Sequence, residues 1–228
     1  MSRGVIYIVW GKEADAVLER SVASLKRHHP ELPHKVIRLK KVSDPVKGLL
    51  EKAKMLDLSP YDETLFLDAD TVVLDRLDYG FEAARRTGLA CCICENPYAR
   101  RYRGFERGTD LVEYNTGVLF FTKQAKPVFD TWAELAPTFN SALDFIGENG
   151  KPMVMPFNDQ GAFAEAMRRW DSLPFVLPQN WNFRPIWQKQ WFGPLKVWHD
   201  YSPAPASLEQ INAYYQRPDA IIQYHWLG

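Results

Sequence analysis

Cysteine is scarce: the 228 residues hold three, Cys91, Cys92 and Cys94, in one apolar run. They lie too near one another for a disulfide framework and lack the second cluster a zinc site needs, so they read as small buried thiols in a reducing compartment. Long apolar runs are missing too. Val5 to Trp10 is far shorter than a signal-peptide core, and no later run reaches membrane-spanning length. The expectation is a soluble, cytoplasmic protein with no transmembrane segment. Neither charge sign is in excess, with 28 Lys and Arg against 28 Asp and Glu, so no overall field favours nucleic acid or an anionic membrane. A charged ligand has to be met by local groups. Repeats, low-complexity tracts and an interdomain linker are absent, and the length suits one domain over residues 1–228.

What is present alternates. Val5 to Val9 is a continuous apolar, β-rich run, as in a strand covered on both faces. Ala14, Val17, Leu18, Val22 and Leu25 follow helical spacing until Pro30 and Pro33 stop it. Lys35 to Leu39 reads as a second strand. Val46, Leu49, Leu50, Ala53 and Leu56 mark one further amphipathic helix whose other face carries Lys47, Lys52 and Lys54. Strands are predicted at Leu89 to Cys94, Val118 to Phe121, Pro174 to Leu177, Leu195 to Trp198 and Ala220 to Tyr224, and helices at Ala125 to Leu135 and Gln160 to Trp170. Tyr98 to Asp110, rich in arginine, reads as a loop. This pattern predicts an α/β fold with a mainly parallel sheet.

The most informative run is Thr64 to Val73, in which Asp68 and Asp70 emerge one residue apart at the end of an apolar strand. Ligands of open α/β sheets bind beyond the carboxyl ends of strands, and two acidic groups emerging together there repel unless a cation lies between them. Capping of the turn by the same aspartates is the structural alternative. Farther on, Trp181, Trp187 and Trp191 lie among Gln179, Asn180, Asn182, Arg184 and Gln188, a mixture suited to stacking and hydrogen-bonding a sugar acceptor, or to packing.

Four motifs in order carry a resemblance: Leu67-Asp68-Ala69-Asp70, Tyr114-Asn115-Thr116-Gly117-Val118, Asn158-Asp159-Gln160-Gly161 and His225-Trp226-Leu227-Gly228. Together they make the chain similar to the glycogenin-like family 8 glycosyltransferases over nearly its whole length. The resemblance implies a GT-A fold with a Rossmann-like sheet flanked by helices. In it, a nucleotide-sugar-binding half (about 1–110) is merged with an acceptor-binding half (about 111–228). It implies a hexosyltransferase-class enzyme that moves a sugar from a nucleotide-diphosphate donor, UDP-sugar favoured, with retained anomeric configuration. The acceptor, whether carbohydrate, protein or lipid-linked, is not readable, and neither is homo-oligomerisation.

By the same resemblance Asp68, Asp70 and His225 hold the metal. Mn²⁺ is favoured because it takes imidazole as well as oxygen ligands, with Mg²⁺ the alternative. Val9, Trp10, Gly11, Lys54 and Ala69 join the acidic pair around the nucleotide sugar. Asn115, Thr116 and Gly117 face the sugar or acceptor, where Asn182 joins them by its place among the tryptophans and not by the resemblance, and Asp159 and Gln160 are the catalytic candidates. The resemblance breaks at Gly228, where the family continues into a lysine-containing segment. Either the sequence stops short of that segment or another base, Lys189 or an arginine of the Tyr98 to Asp110 loop, substitutes. Two rivals remain: a haloacid-dehalogenase-like phosphatase with Asp68 as nucleophile, whose lysine and acidic pair come later in the chain, and a non-catalytic sugar-nucleotide- or glycan-binding module.

Overall fold

The structure, a computed structural model, describes residues 1–39, 45–95, 102–105, 112–146 and 149–227, and for 45–47 the backbone alone. Most of the predicted Tyr98 to Asp110 loop, and Gly228, lie outside the described residues.

The chain runs β1 (Arg3–Trp10), α1 (Asp15–His28), β2 (His34–Leu39), α2 (Pro45–Lys52), α3 (Met55–Leu58), β3 (Glu63–Leu67), β4 (Thr71–Val73), α4 (Asp78–Thr87), β5 (Leu89–Ile93) and β6 (Tyr114–Thr122). It continues α5 (Lys126–Leu135), β7 (Leu143–Ile146), β8 (Pro152–Met155), α6 (Asp159–Arg169), β9 (Phe175–Leu177), β10 (Gln190–Phe192), β11 (Val197–His199), α7 (Ser207–Tyr215) and β12 (Tyr224–Trp226). Six strands form the central sheet in the order β2-β1-β3-β6-β5-β9. β1 pairs in parallel with β2 and β3, and β5 with β9, whereas β6 is antiparallel to both its neighbours. The mixed, mainly parallel α/β architecture expected from the sequence is therefore present.

The strands are apolar on both faces because both are covered. Val5, Tyr7 and Val9 of β1, Leu65 and Leu67 of β3, and Val118 and Phe120 of β6 pack with α1 and α4. The alternate residues Ile6, Ile8, Phe66, Leu119 and Phe121 pack with α5 and α6. That alternation is the period-2 signature of a strand read twice, once for each layer. A smaller cluster of Val72, Phe183, Trp191, Leu195, Trp198 and Leu208 ties β4, β10, β11 and α7 into a lobe beside the sheet.

Several elements differ from expectation. The helix predicted from Val46 to Leu56 breaks after Lys52 and resumes at Met55, so α2 and α3 are separate. The acidic run is interrupted by a turn, in which the Thr71 amide donates to the Asp68 carbonyl at 3.2 Å, between β3 and β4. The last strand lies at Tyr224–Trp226 rather than Ala220 to Tyr224. Helix α4 ends at Gly88, whose φ of 87° is the left-handed conformation glycine adopts without cost and which closes the helix on the Ala84 carbonyl. Among the described residues no helix is long and apolar enough to cross a membrane.

Candidate active site at the carboxyl edge of the sheet

Strand direction assembles the site. β1 and β3 are parallel and end at one edge of the sheet, which puts Trp10 and Asp68 there. The antiparallel β6 begins at that edge, and so Asn115, Thr116 and Gly117 stand beside Asp68, whose amide donates to the Gly117 carbonyl at 2.8 Å. In the side lobe β11 pairs antiparallel with β4 in a register that sets His199 opposite Thr71, and the Asp200 amide donates to the Asp70 carbonyl at 2.9 Å. The Asn158 side chain caps α6 by accepting from the Gln160 amide at 2.7 Å. Capping thus falls to Asn158, and Asp159 in the first turn is turned into the site.

Asp68, Asp70 and His199 offer one ligand atom each within 4.8 Å of one another. The His199 Nε2 lies 3.4 Å from Asp70 Oδ1 and 3.8 Å from Asp68 Oδ2. Lys52, buried at the end of α2, places its Nζ 3.0 Å from Asp68 Oδ1 and 2.9 Å from Asp159 Oδ2. Thr116 donates its hydroxyl to Asp159 Oδ2 at 2.7 Å. Burial opposes the charge on Lys52, but Asp159 and Asp68 outweigh it and hold the ammonium above the ordinary lysine range. Burial likewise raises Asp68, more than Lys52 and the His199 contact lower it. For Asp70 and Asp159 burial is overcome, by His199 in one case and by Lys52 and Thr116 in the other, and both stay below the usual carboxylate range.

The acidic pair opens into a cleft of about 530 Å³ lined by Ile8, Val9, Trp10, Gly11, Glu13, Ala14, Val17, Leu49, Lys52, Asp68, Ala69, Asp70 and Tyr201. Its size falls within the ordinary range for small-ligand pockets. The Trp10 indole lies flat on α2 at Gly48, where a Cβ would come within 2.5 Å of the ring. Behind the pair runs a buried chain of amides. Asn115 Oδ1 accepts from the Gly117 amide at 2.8 Å and from Asn182 Nδ2 at 2.7 Å, and Asn115 Nδ2 donates to Gln160 Oε1 at 2.8 Å.

Two expectations need correction. His225 is not in the acidic cluster. It sits within β12, its ring stacked on Trp191 at 5.3 Å and its Nε2 2.8 Å from the Tyr215 hydroxyl, while His199 stands with the aspartates. The reason is strand register: His199 closes β11 beside the turn that bears Asp70, whereas β12 pairs with β10. Nor does Lys54 face the cleft. It pairs with Glu51 at 2.7 Å on the exposed side, while Lys52, the last residue of α2, is the buried one. Asn115 and Asn182 are buried in the amide chain, Gln160 is turned toward Asn115 rather than the cleft, and Trp181 and Trp191 are buried, leaving Trp187 exposed. No sequence signal singles out His199: it follows the predicted strand Leu195 to Trp198 just as His225 follows Ala220 to Tyr224, and only strand pairing tells them apart.

No protein-family model matches the sequence, and no curated protein matches it either. Solved structures do. The galactosyltransferase LgtC in complex with donor and acceptor sugar analogues is similar at a TM-score of 0.57 and 14% identity, over 92% of this chain and 94% of LgtC. Mouse xyloside xylosyltransferase 1 is similar at 0.57 and 15%, over 90% and 100%. The glycosyltransferase GlyE of Streptococcus pneumoniae TIGR4 is similar at 0.53 and 17%, over 96% of this chain and 61% of its own. At such identities the likeness speaks to architecture, and the architecture shared is the GT-A fold of glycosyltransferases.

Proposed function

We propose that this chain is a metal-dependent glycosyltransferase that moves a sugar from a nucleotide-diphosphate donor, UDP-sugar first, with retention at the anomeric carbon. One observation carries the reading. Three carboxylates, Asp68, Asp70 and Asp159, share the strand-end site with one ammonium, Lys52; three negative charges against one positive leave a surplus of two, which calls for a cation. The donor set of two carboxylates and an imidazole suits Mn²⁺, and Mg²⁺ less well. Asp68, Asp70 and His199 would hold the ion, which supplies charge neutralisation for the departing diphosphate.

The chain's own groups divide the remaining work. The wall from Val9 to Gly11, with Ala69, receives the nucleoside part, so the first half of the chain serves the donor and the second the acceptor. Lys52 keeps its charge and offers it to the donor's phosphate or sugar oxygens from its place between Asp68 and Asp159. Asp159, held ionised by Lys52 and Thr116, faces positive charge developing on the sugar carbon. The Gln160 amide is engaged by Asn115, so the carboxylate and not the amide is the group left for the reacting sugar. A phosphatase arrangement expects its lysine after the acidic strand, whereas Lys52 precedes it.

Calorimetric titration with UDP, with and without Mn²⁺, tests the reading on the wild type and on Asp70→Asn. Binding that needs Mn²⁺ and disappears in the variant is expected, followed by UDP release from one member of a UDP-sugar panel. Equal affinity without metal would overturn the metal assignment, and tight binding with no release from any donor would overturn the enzyme in favour of a binding module.

A further inference from the structure

We propose that the buried amide chain fixes the tautomer of His199, with Asn182 as the positioning residue that presents the bare Nε2 to the acidic pair. The polarity of the chain follows from one backbone group. The Gly117 N–H can only donate, so the Asn115 atom 2.8 Å away is its oxygen. Asn182 approaches that same oxygen at 2.7 Å and must do so with its NH₂. Its own oxygen is then the atom 2.8 Å from His199 Nδ1, and a carbonyl oxygen only accepts, so Nδ1 carries the proton. Nε2, on the other side of the ring, is left facing Asp70 and Asp68.

Burial makes this binding on the side chains. Asn115, Asn182 and Gln160 are 5%, 3% and 5% exposed and His199 8%, so a reversed amide would set oxygen against oxygen without ready access to water. Gly117 leaves room for the ring as well as setting the polarity: a Cβ there would clash with His199 Cε1 and lie 2.8 Å from Asp68 Oδ2. A metal-ligating histidine normally has its second nitrogen fixed in this way by an outer partner, and here a glycine amide two side chains away sets the choice. The consequence for metal affinity rests on the function proposed above; the tautomer does not.

The test is long-range ¹⁵N–¹H correlation on metal-free protein labelled in the histidine rings, above the pH at which the ring has shed its second proton. His199 is identified among the five histidines by its absence in His199→Gln. The wild type should show the proton on Nδ1. A bare Nδ1 there overturns the proposal. Asn182→Leu should move the proton to Nε2 in part or whole, and Asn115→Leu, which frees the Asn182 amide to turn over, should give a mixture. Asn182→Asp keeps an acceptor and should keep the Nδ1 proton. An unchanged Nδ1 proton in whichever leucine variant folds overturns the proposal. Mn²⁺ affinity should fall roughly 10- to 100-fold in Asn182→Leu and much less in Asn182→Asp; equal affinity in the two overturns the positioning role. If the wild type takes up no Mn²⁺, the proposed function fails while the tautomer is still decided by the spectra.

Discussion

Two clusters in this molecule are built from the same residue types, and only one has capacity left over. At the sheet edge Asp68 and Asp70 meet His199; just past the end of α1, Glu31 and Asp78 meet His29. The rings are used differently. His29 Nε2 already accepts from the Leu77 amide at 2.8 Å and Nδ1 lies 3.1 Å from Glu31, whereas His199 spends Nδ1 on Asn182 and turns Nε2 toward carboxylates. The carboxylates differ too. Arg76 reaches both Glu31 and Asp78 at 2.8 Å, and Asp78 through two of its nitrogens. At the sheet edge Lys52 reaches Asp68 and Asp159 but Asp70 is left to His199. A cluster in which one arginine pairs with every carboxylate is a structural joint, and one whose lysine leaves Asp70 to a histidine is a place for a ligand.

The most severe way to break the comparison is to remove the cation from each side. Lys52→Met leaves Asp68 and Asp159, both partly buried, around an apolar tip. Removing one partner of a buried pair costs about 3–5 kcal/mol, so the urea midpoint should drop sharply. A few millimolar Mn²⁺ should restore part of the loss, because a ligand of the folded state stabilises it by mass action. The same Mn²⁺ should restore nothing in Arg76→Met. Rescue of both variants, or of neither, would show that the two clusters do not differ in the way argued.

Part of this was legible in the sequence. The acidic pair could be read because it follows the apolar run Leu65-Phe66-Leu67, and the layers because β1, β3 and β6 alternate between two cores. The antiparallel sense of β6 could not be read, yet it brings Asn115, Thr116 and Gly117 to the site. Lys52 was unreadable for a local reason: the apolar spacing from Val46 to Leu56 sets it with Lys47 and Lys54 on the polar face, yet it is buried against the carboxylates. His199 and His225 both stand among aromatic residues in short strands, and only the pairing of β11 with β4 separates them. Helices α4 and α7 and the β7–β8 hairpin are short and gain their order from packing and pairing rather than from a long periodic pattern.

A milder probe is His29→Leu. The ring is fully buried and satisfies the Leu77 amide, so an apolar replacement strands a donor, at a cost of roughly 1–3 kcal/mol in chemical denaturation. Mn²⁺-dependent UDP binding should be unchanged once the variant is folded. A loss of metal binding without a loss of stability would transfer the metal to the wrong cluster.

The smallest effect expected is one of pH, and its sign differs between the clusters. Hydrogen bonds from Arg76 hold the Asp78 carboxyl below the usual range despite some burial. Its folded form therefore gives up its proton more readily than an unfolded aspartate, whose pKa is about 3.9. The stability it contributes is present above that value and is lost as the pH falls through the lower, folded value. Asp68 is raised by burial, and the sign reverses: its folded form holds the proton more tightly, so acidification relieves a cost. Removing the arginine as Arg76→Gln isolates the first effect without touching the second. The gap in denaturation midpoint between wild type and Arg76→Gln should be constant from about pH 5 to 8 and shrink below about pH 4. It should be modest, because the arginine and Asp78 are half exposed and solvent screens them. A gap that widens on acidification would mean that Arg76 is not what holds the Asp78 carboxyl down, and the joint would then have to be held by its histidine alone.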